Sequence, residues 1–263
     1  RGYALERTVA GMRSLLDLVN APESNVRLVR SVAEIELAHR QDKTAAILHL
    51  ADADAIDPNL NALAVLHAAG LRSIAITWSR RNTFGYGAPY RSPGSPDDGP
   101  GLAESGISLV TACNKLGLLV DVAHLNEAGF RDVAKTSSAP LVMSHGTAHA
   151  LTPTSRAATD AQLRAIADSG GLIGVSSEGM AVRPEMLVEA MVAHIGYIAD
   201  RIGIEYVAFG SDLYRPPSQD NPEGVIPLDK VLARLREVGW TGRMLHQLAW
   251  ENWRRVLAAT WGV

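Results

Sequence analysis

A single cysteine, Cys113, leaves the chain without an intrachain disulfide or a cysteine-rich zinc module. It falls in the apolar stripe Leu109, Val110, Cys113 and Leu116, which reads as a buried structural thiol. No run approaches the ~18 to 20 consecutive apolar residues of a membrane span. A secretory signal pattern is missing too, so the expectation is a soluble protein of the cytoplasm. No basic block appears, and a net charge of −3 offers no field for nucleic acid or an anionic membrane. There is no Gly-x-Ser-x-Gly elbow for serine chemistry and no glycine-rich phosphate loop after the first strand. The chain opens on Arg1-Gly2-Tyr3, inside an amphipathic helical pattern, so the reading expects residues upstream of Arg1.

At 263 residues with 47% apolar side chains, the chain suits one large α/β domain over residues 1–263. Helices are expected over Arg1 to Val19 and Ser31 to Arg40, the latter with Ser31 and Glu34 in capping-box spacing. Thr44 to Leu50 reads as one buried strand. Leu60 to Ala69 is a helix stopped by Gly70, with Leu60, Leu63, Ala64 and Leu66 or His67 inward. Arg72 to Thr77 is the next strand. The Gly/Pro/Ser segment from Asn82 to Pro100 exceeds normal loop length and reads as functional or lid-like. Helix Leu102 to Leu116, strand Leu118 to Val122, helix Asn126 to Thr136 and strand Leu141 to Ser144 follow. Then come a helix capped by Thr159 and Gln162, strand Gly171 to Ser176, a long helix opened by Pro184, and strand Tyr206 to Phe209. A helix begun by Pro227 and a terminal helix from Gly242 to Thr260 close the chain. Six strands alternating with helices mean parallel strands, in a (β/α)8 barrel short of two strands or in a doubly wound sheet.

Two runs of strand length end on histidine, Leu118 to His124 and Pro140 to His145, with a helical segment between them. Neighbouring parallel strands would deliver both imidazoles to one edge, where barrels place their chemistry and where zinc takes nitrogen ligands. Asp212, after Gly210-Ser211, would add a carboxylate, either as a ligand or general base or as a helix N-cap. Arg156 lies in the polar loop after His145, either solvated or clamping a carboxylate through two hydrogen bonds. Trp78 ends the strand Arg72 to Thr77. His149 reads as a supporting residue and Asp97-Asp98 as a turn pair; His39, His49, His67, His194 and His246 lie outside the rim pattern.

These residues, with their surroundings, resemble the membrane dipeptidase (renal dipeptidase) family of zinc peptidases, bacterial type. The runs that carry the resemblance include Trp78-Ser-Arg-Arg-Asn-Thr-Phe-Gly, Leu119-Val-Asp-Val-Ala-His-Leu-Asn, Ala139-Pro-Leu-Val-Met-Ser-His, Gly170-Gly-Leu-Ile-Gly-Val, Phe209-Gly-Ser-Asp and Asn252-Trp-Arg-Arg-Val-Leu. The resemblance implies a (β/α)8 TIM-type barrel of the metal-dependent hydrolase kind, its first two strands not represented in this chain. It also implies a binuclear zinc centre that hydrolyses dipeptides, including ones with a C-terminal D-residue. His124 and His145 match the two histidines on one zinc. Asp212 matches the aspartate that binds metal and handles the proton, and Arg156 the arginine that receives the substrate carboxylate, while Trp78 stands at a substrate-contact position where some members have histidine.

The chain departs from that pattern at four places. No His-x-Asp pair is present; in the family, such a pair ends the first strand and binds the second zinc. Ala51-Asp52 stands where the family has the bridging glutamate and a glycine. Ala157 replaces an asparagine after the arginine, and Tyr214 replaces an aspartate. The expectation is therefore a zinc-dependent dipeptidase with one zinc clearly provided for, acting on a small dipeptide-like substrate. The alternative is a barrel that binds a ligand or one metal without peptidase activity. A homodimer is left open.

Overall fold

Strands and helices alternate along the chain because apolar runs of three to five residues, too short for a helix, are separated by segments of helical period. The structure is a computed structural model and describes residues 2–177, 180, 186–212 and 228–262. Two compact units share the residues. The first comprises Arg1–Gly87, Gly99–Ala139 and Leu257–Val263; the second comprises Ala88–Asp98 and Pro140–Val256.

The first unit contains helix α1 (Gly2–Asn20), strand β1 (Val26–Leu28), α2 (Val32–Arg40), β2 (Thr44–Ala46), β3 (Leu48–Leu50), α3 (Asn61–Ala68), β4 (Leu71–Ala75), α4 (Glu104–Leu116), β5 (Leu119–Asp121) and α5 (Glu127–Thr136). All its strand pairs are parallel. β1 pairs with β2 from Val26↔Thr44 to Leu28↔Ala46. β3 pairs with β4, and β4 with β5 at Ser73↔Leu119 and Ala75↔Asp121. Strand β1 was not expected, and the single strand expected over Thr44 to Leu50 is two. The chain changes pairing partner at Ile47, from β1 to β4, and three-residue strands leave no periodicity to read.

Ser31 caps α2 by accepting from Glu34 N at 3.2 Å, while the Glu34 carboxylate reaches back to Arg30 N at 2.6 Å, one residue before the box position. In α3, Leu63 and Leu66 point inward as expected, whereas Ala64 is exposed. Helix α1 lies against β1 with no buried residue, its Val9 and Leu18 being 55% and 53% exposed. Ile74, Leu109, Leu118 and Phe130 are among the fully buried side chains of this unit. Cys113 is buried with them, and the cost of desolvating a thiolate pushes its thiol up to about 12, an inert structural thiol.

The second unit contains β6 (Val142–Gly146), α6 (Asp160–Asp168), β7 (Leu172–Val175), α7 (Leu187–Ile202), β8 (Val207–Phe209), α8 (Leu228–Glu237), α9 (Gly242–His246) and the start of α10 (Asn252–Trp261), whose residues from Leu257 on belong to the first unit. β6, β7 and β8 are parallel neighbours. Thr159 and Gln162 form the reciprocal box that opens α6. Gly174 and Gly210 are needed for proximity: a Cβ on either would lie 2.1 or 2.0 Å from the Ser144 carbonyl oxygen. The terminal helix expected as one piece is interrupted over Gln247–Glu251 by a π-turn. Beyond it, Asn252 Nδ2 donates to the Ile204 and Val207 carbonyls and Trp253 Nε1 to Phe209 O, which ties the helix to β8. Pro184, Tyr214 and Pro227 fall outside the described residues. Among the described residues no helix is long and apolar enough to cross a membrane.

Candidate active site

In the first unit, His124 stands three residues past the end of β5, in a turn closed by Leu125 N donating to Val122 O. Asp121, fully buried, accepts from Ala123 N at 3.0 Å and so shapes the turn. His124 itself has φ +65°, in the left-handed region that side chains other than glycine adopt at a cost. Its ring meets Trp78 edge-on, with centroids 6.3 Å apart at 73°. Trp78 is 52% exposed, so one face stays open to a ligand.

Asp52 explains how Trp78 is held. Its Oδ1 accepts from Asp54 N at 2.9 Å, capping the short turn Ala53–Ala55, and from Asn82 Nδ2 at 2.9 Å. Its Oδ2 accepts from Trp78 N at 3.1 Å. Gly87 packs on the far side of the tryptophan backbone, where a Cβ would lie 1.6 Å from Trp78 O. From there Tyr86 O accepts from Asn126 N, and Gly87 bridges to Leu125, beside His124. Hydrogen bonds and close packing thus frame Trp78 and His124. Ala51, next to Asp52, is exposed and offers no donor atom.

In the second unit, β6 carries one residue more than β7 between Met143↔Ile173 and Gly146↔Val175. His145 lies in that bulge, inside the strand instead of just past its end, and a bulge is a common device for re-aiming a side chain. The Ser144 hydroxyl and His145 Nδ1 are 2.8 Å apart. With the Nδ1 proton donated to the serine oxygen, the Nε2 lone pair is left for a ligand. That Nε2 stands 3.9 Å from Asp212 Oδ2, too far for a hydrogen bond. Asp212 has φ +47°, like His124 a non-glycine residue in the left-handed region. Arg156, half-buried, donates through Nε to Ala88 O at 3.3 Å, and its guanidinium carbon lies 5.7 Å from the Tyr90 ring centre.

The sequence-read residues therefore form two sets, Trp78 with His124 in one unit, and His145 with Asp212 in the other, where Arg156 also lies. Imidazole nitrogen and carboxylate oxygen suit a divalent ion; two such atoms on one tetrahedral ion stand roughly 3.4 Å apart, and 3.9 Å is a small adjustment from that. The pair accounts for two ligands. Among the described residues, no group of three or more His, Cys, Asp or Glu forms a complete cage. Ala51 has no donor atom, and both Asp52 oxygens are engaged by protein N–H groups, so neither residue offers a ready metal ligand.

The model of the family described as Membrane dipeptidase (Peptidase family M19) matches residues 2–261. The chain belongs to the membrane dipeptidase family. A protein of the pqqA 5′ region of Klebsiella pneumoniae is 38% identical over 253 residues, 94% of this chain and 93% of that one. A crystal structure of a Rhodobacter sphaeroides metallopeptidase, liganded with a phosphinate mimic of the dipeptide L-Ala-D-Ala, is 38% identical. It matches with a TM-score of 0.89 over 96% of this chain and 74% of that one. A Pseudomonas aeruginosa amidohydrolase, 21% identical with a TM-score of 0.84 over 98% of this chain and 86% of its own, shares the fold. This membrane dipeptidase family chain thus has the α/β architecture of the barrel kind that its sequence implied.

Three supporting residues of the dipeptidase-family chain escaped the sequence reading. Asp52 is one, because its position suggested a misplaced ligand and nothing local shows its bonds to Trp78 and Asn82. Ser155 is another, a fully buried serine in a run that looks like polar loop. The third is His194, 2% exposed on α7, whose Nδ1 accepts from Ala148 N at 3.0 Å. Burial lowers its pKa to about 4, so it is neutral. Its position on the apolar stripe of α7 was the one available signal. His149, expected to be a supporting residue, donates from Nε2 to Gly94 O at 2.9 Å.

Proposed function

We propose that this chain is a zinc-dependent dipeptidase that cleaves dipeptides, ones with a C-terminal D-residue included, through a metal-activated water. One observation carries the reading: His145 Nε2 and Asp212 Oδ2 face each other at 3.9 Å, in a bulge and on a left-handed residue. Strained backbone of that kind concentrates where a side chain must be aimed. His145 and Asp212 would supply two of the ligands of a zinc ion. When bound, it supplies Lewis acidity and lowers the pKa of a coordinated water toward neutrality.

The chain's own groups do the rest. Arg156 takes the free carboxylate of the substrate, its fork oriented by Ala88 O. Fixing that end limits the length of chain that fits and aligns the scissile bond, an entropic contribution to catalysis. Trp78, open on one face, contacts the substrate and screens the reaction from bulk water. The Asp212 carboxylate accepts the proton released by the attacking water and returns it to the leaving amine. The R. sphaeroides relative, with its bound mimic of L-Ala-D-Ala, supports that dipeptide as the first substrate to try. Residues 1–263 act as one barrel domain in this reading.

The second reading is a family member that binds a ligand or one metal without hydrolysis. Ala51 and the engaged Asp52 favour it, since neither offers a free carboxylate oxygen. Release of D-Ala from L-Ala-D-Ala by the zinc-loaded protein, abolished in Asp212→Asn, supports the first reading. Zinc binding without release supports the second.

A further inference from the structure

The long Gly/Pro/Ser segment that read as lid-like is, over residues 88–98, stitched to the loop that follows β6. Ser155 is the centre of the stitch. Its hydroxyl donates to Pro89 O at 2.6 Å and accepts from Arg91 N at 2.8 Å, and its own N–H donates to Arg91 O at 3.0 Å. Farther along, Gly94 N donates to Pro153 O at 2.9 Å, and Gly94 O accepts from His149 Nε2. Gly94 leaves no slack: a Cβ there would lie 2.7 Å from Arg91 O and 3.1 Å from Ser155 N. Main chain held on both flanks by a fully buried serine does not swing as a lid.

Tyr90 is the residue between the two bonded flanks, Pro89 and Arg91. Its ring faces the guanidinium of Arg156 at 5.7 Å, and Ala88 O accepts a hydrogen bond from Nε of the same side chain. Arginine loses much rotamer freedom when a ligand must freeze it, and a fork held beforehand loses less. The negative face of the ring also favours the cation. Tyr90 is 45% exposed, so it reaches solvent beside the group it supports.

We propose that Tyr90 is a positioning residue for Arg156: its ring, fixed by the Ser155 stitch, presents the guanidinium to a free carboxylate and thereby sets the preference for substrates with an unblocked C-terminus. This rests on the reading of Arg156 as the carboxylate receptor.

The test uses L-Ala-D-Ala and its C-terminal amide as probes. Their affinities are measured by NMR titration of the metal-stripped protein, and KM and kcat for the free dipeptide on the zinc-loaded protein. Wild type binds the acid at least about tenfold more tightly than the amide, and Arg156→Leu loses that preference. Tyr90→Leu cuts the preference about three- to fivefold, raises KM and leaves kcat unchanged. Tyr90→Phe, which keeps the ring, restores all three. A Tyr90→Leu protein with wild-type preference, beside an Arg156→Leu protein without it, overturns the role of Tyr90 and leaves Arg156 standing. A Phe variant as impaired as the Leu variant also overturns it. A wild type that binds acid and amide alike removes the Arg156 reading, and the Tyr90 proposal with it.

Discussion

Acid should weaken the second unit through His194. This imidazole is 2% exposed, and its Nδ1 accepts from Ala148 N, which requires the proton on Nε2, within 3.2 Å of Thr152 Oγ1. One side chain thus pins Ala148 and Thr152, the two ends of a short turn just after β6. Burial lowers its pKa from 6.5 to about 4. An unfolded chain takes up this proton below about pH 6.5, and the folded chain only near 4, so between those values the unfolded state binds more protons. Stability is then fully present above pH 6.5 and falls as pH drops, reaching its floor below about 4. At 1.36 kcal/mol per pH unit the gap is worth about 3 kcal/mol, of which about 2 kcal/mol is lost between pH 7 and 4.5. Protonation would also set an N–H against the Ala148 N–H, which adds to the loss.

The assay is urea unfolding of wild type and His194→Asn at pH 7, 5.5 and 4.5. Asparagine keeps an acceptor near Nδ1 and does not titrate. The wild-type advantage should shrink by about 2 kcal/mol over that range. An advantage that is constant with pH, or a His194 imidazole that titrates near 6.5 in the folded protein by NMR, refutes the reasoning.

Other outcomes follow from the same contacts. Asp212→Asn should lower turnover of L-Ala-D-Ala by about 10²- to 10⁴-fold without a change in melting temperature, read from steady-state rates. Asp52→Ala removes the acceptor for Asp54 N, Asn82 Nδ2 and Trp78 N, and should cost about 1–3 kcal/mol in urea unfolding. Gly87→Ala forces a Cβ against Trp78 O and should destabilise by about 1–3 kcal/mol, with a changed Trp78 fluorescence spectrum. His145→Ala should lower bound zinc, measured by elemental analysis; unchanged zinc would take that residue out of the site.

From β4 onward the strands were legible as apolar runs between segments of helical period, and two of the helices carry readable caps: Asn126 and Thr159 both cap as their types suggest. Before β4 it was not. Val26–Leu28 is a three-residue strand whose partner is set by the chain sixteen or more residues later, and no local pattern encodes that pairing. The π-turn at Gln247–Glu251 is equally silent, since its cause is the demand of Asn252 and Trp253 for carbonyls on and beside β8. Of the site, the residue types and their chain positions were visible, while their aim was not. His145 lies in a bulge and His124 in a left-handed turn, where the sequence suggested plain strand ends. The supporting groups were hidden for a single reason. Asp52, Ser155 and His194 each bond a main-chain atom distant in sequence, and a main-chain partner leaves no mark on residue type.

Metal-dependent hydrolysis is proposed for a chain whose Ala51 carries no ligand atom and whose Asp52 oxygens are both engaged. Zinc content measured on the same sample as the rate of D-Ala release from L-Ala-D-Ala tests it most directly. The account predicts about one zinc per chain, turnover that disappears with chelation, and turnover that returns with zinc. Less than about half an equivalent of zinc, with no turnover after addition of zinc, manganese or cobalt, would contradict it.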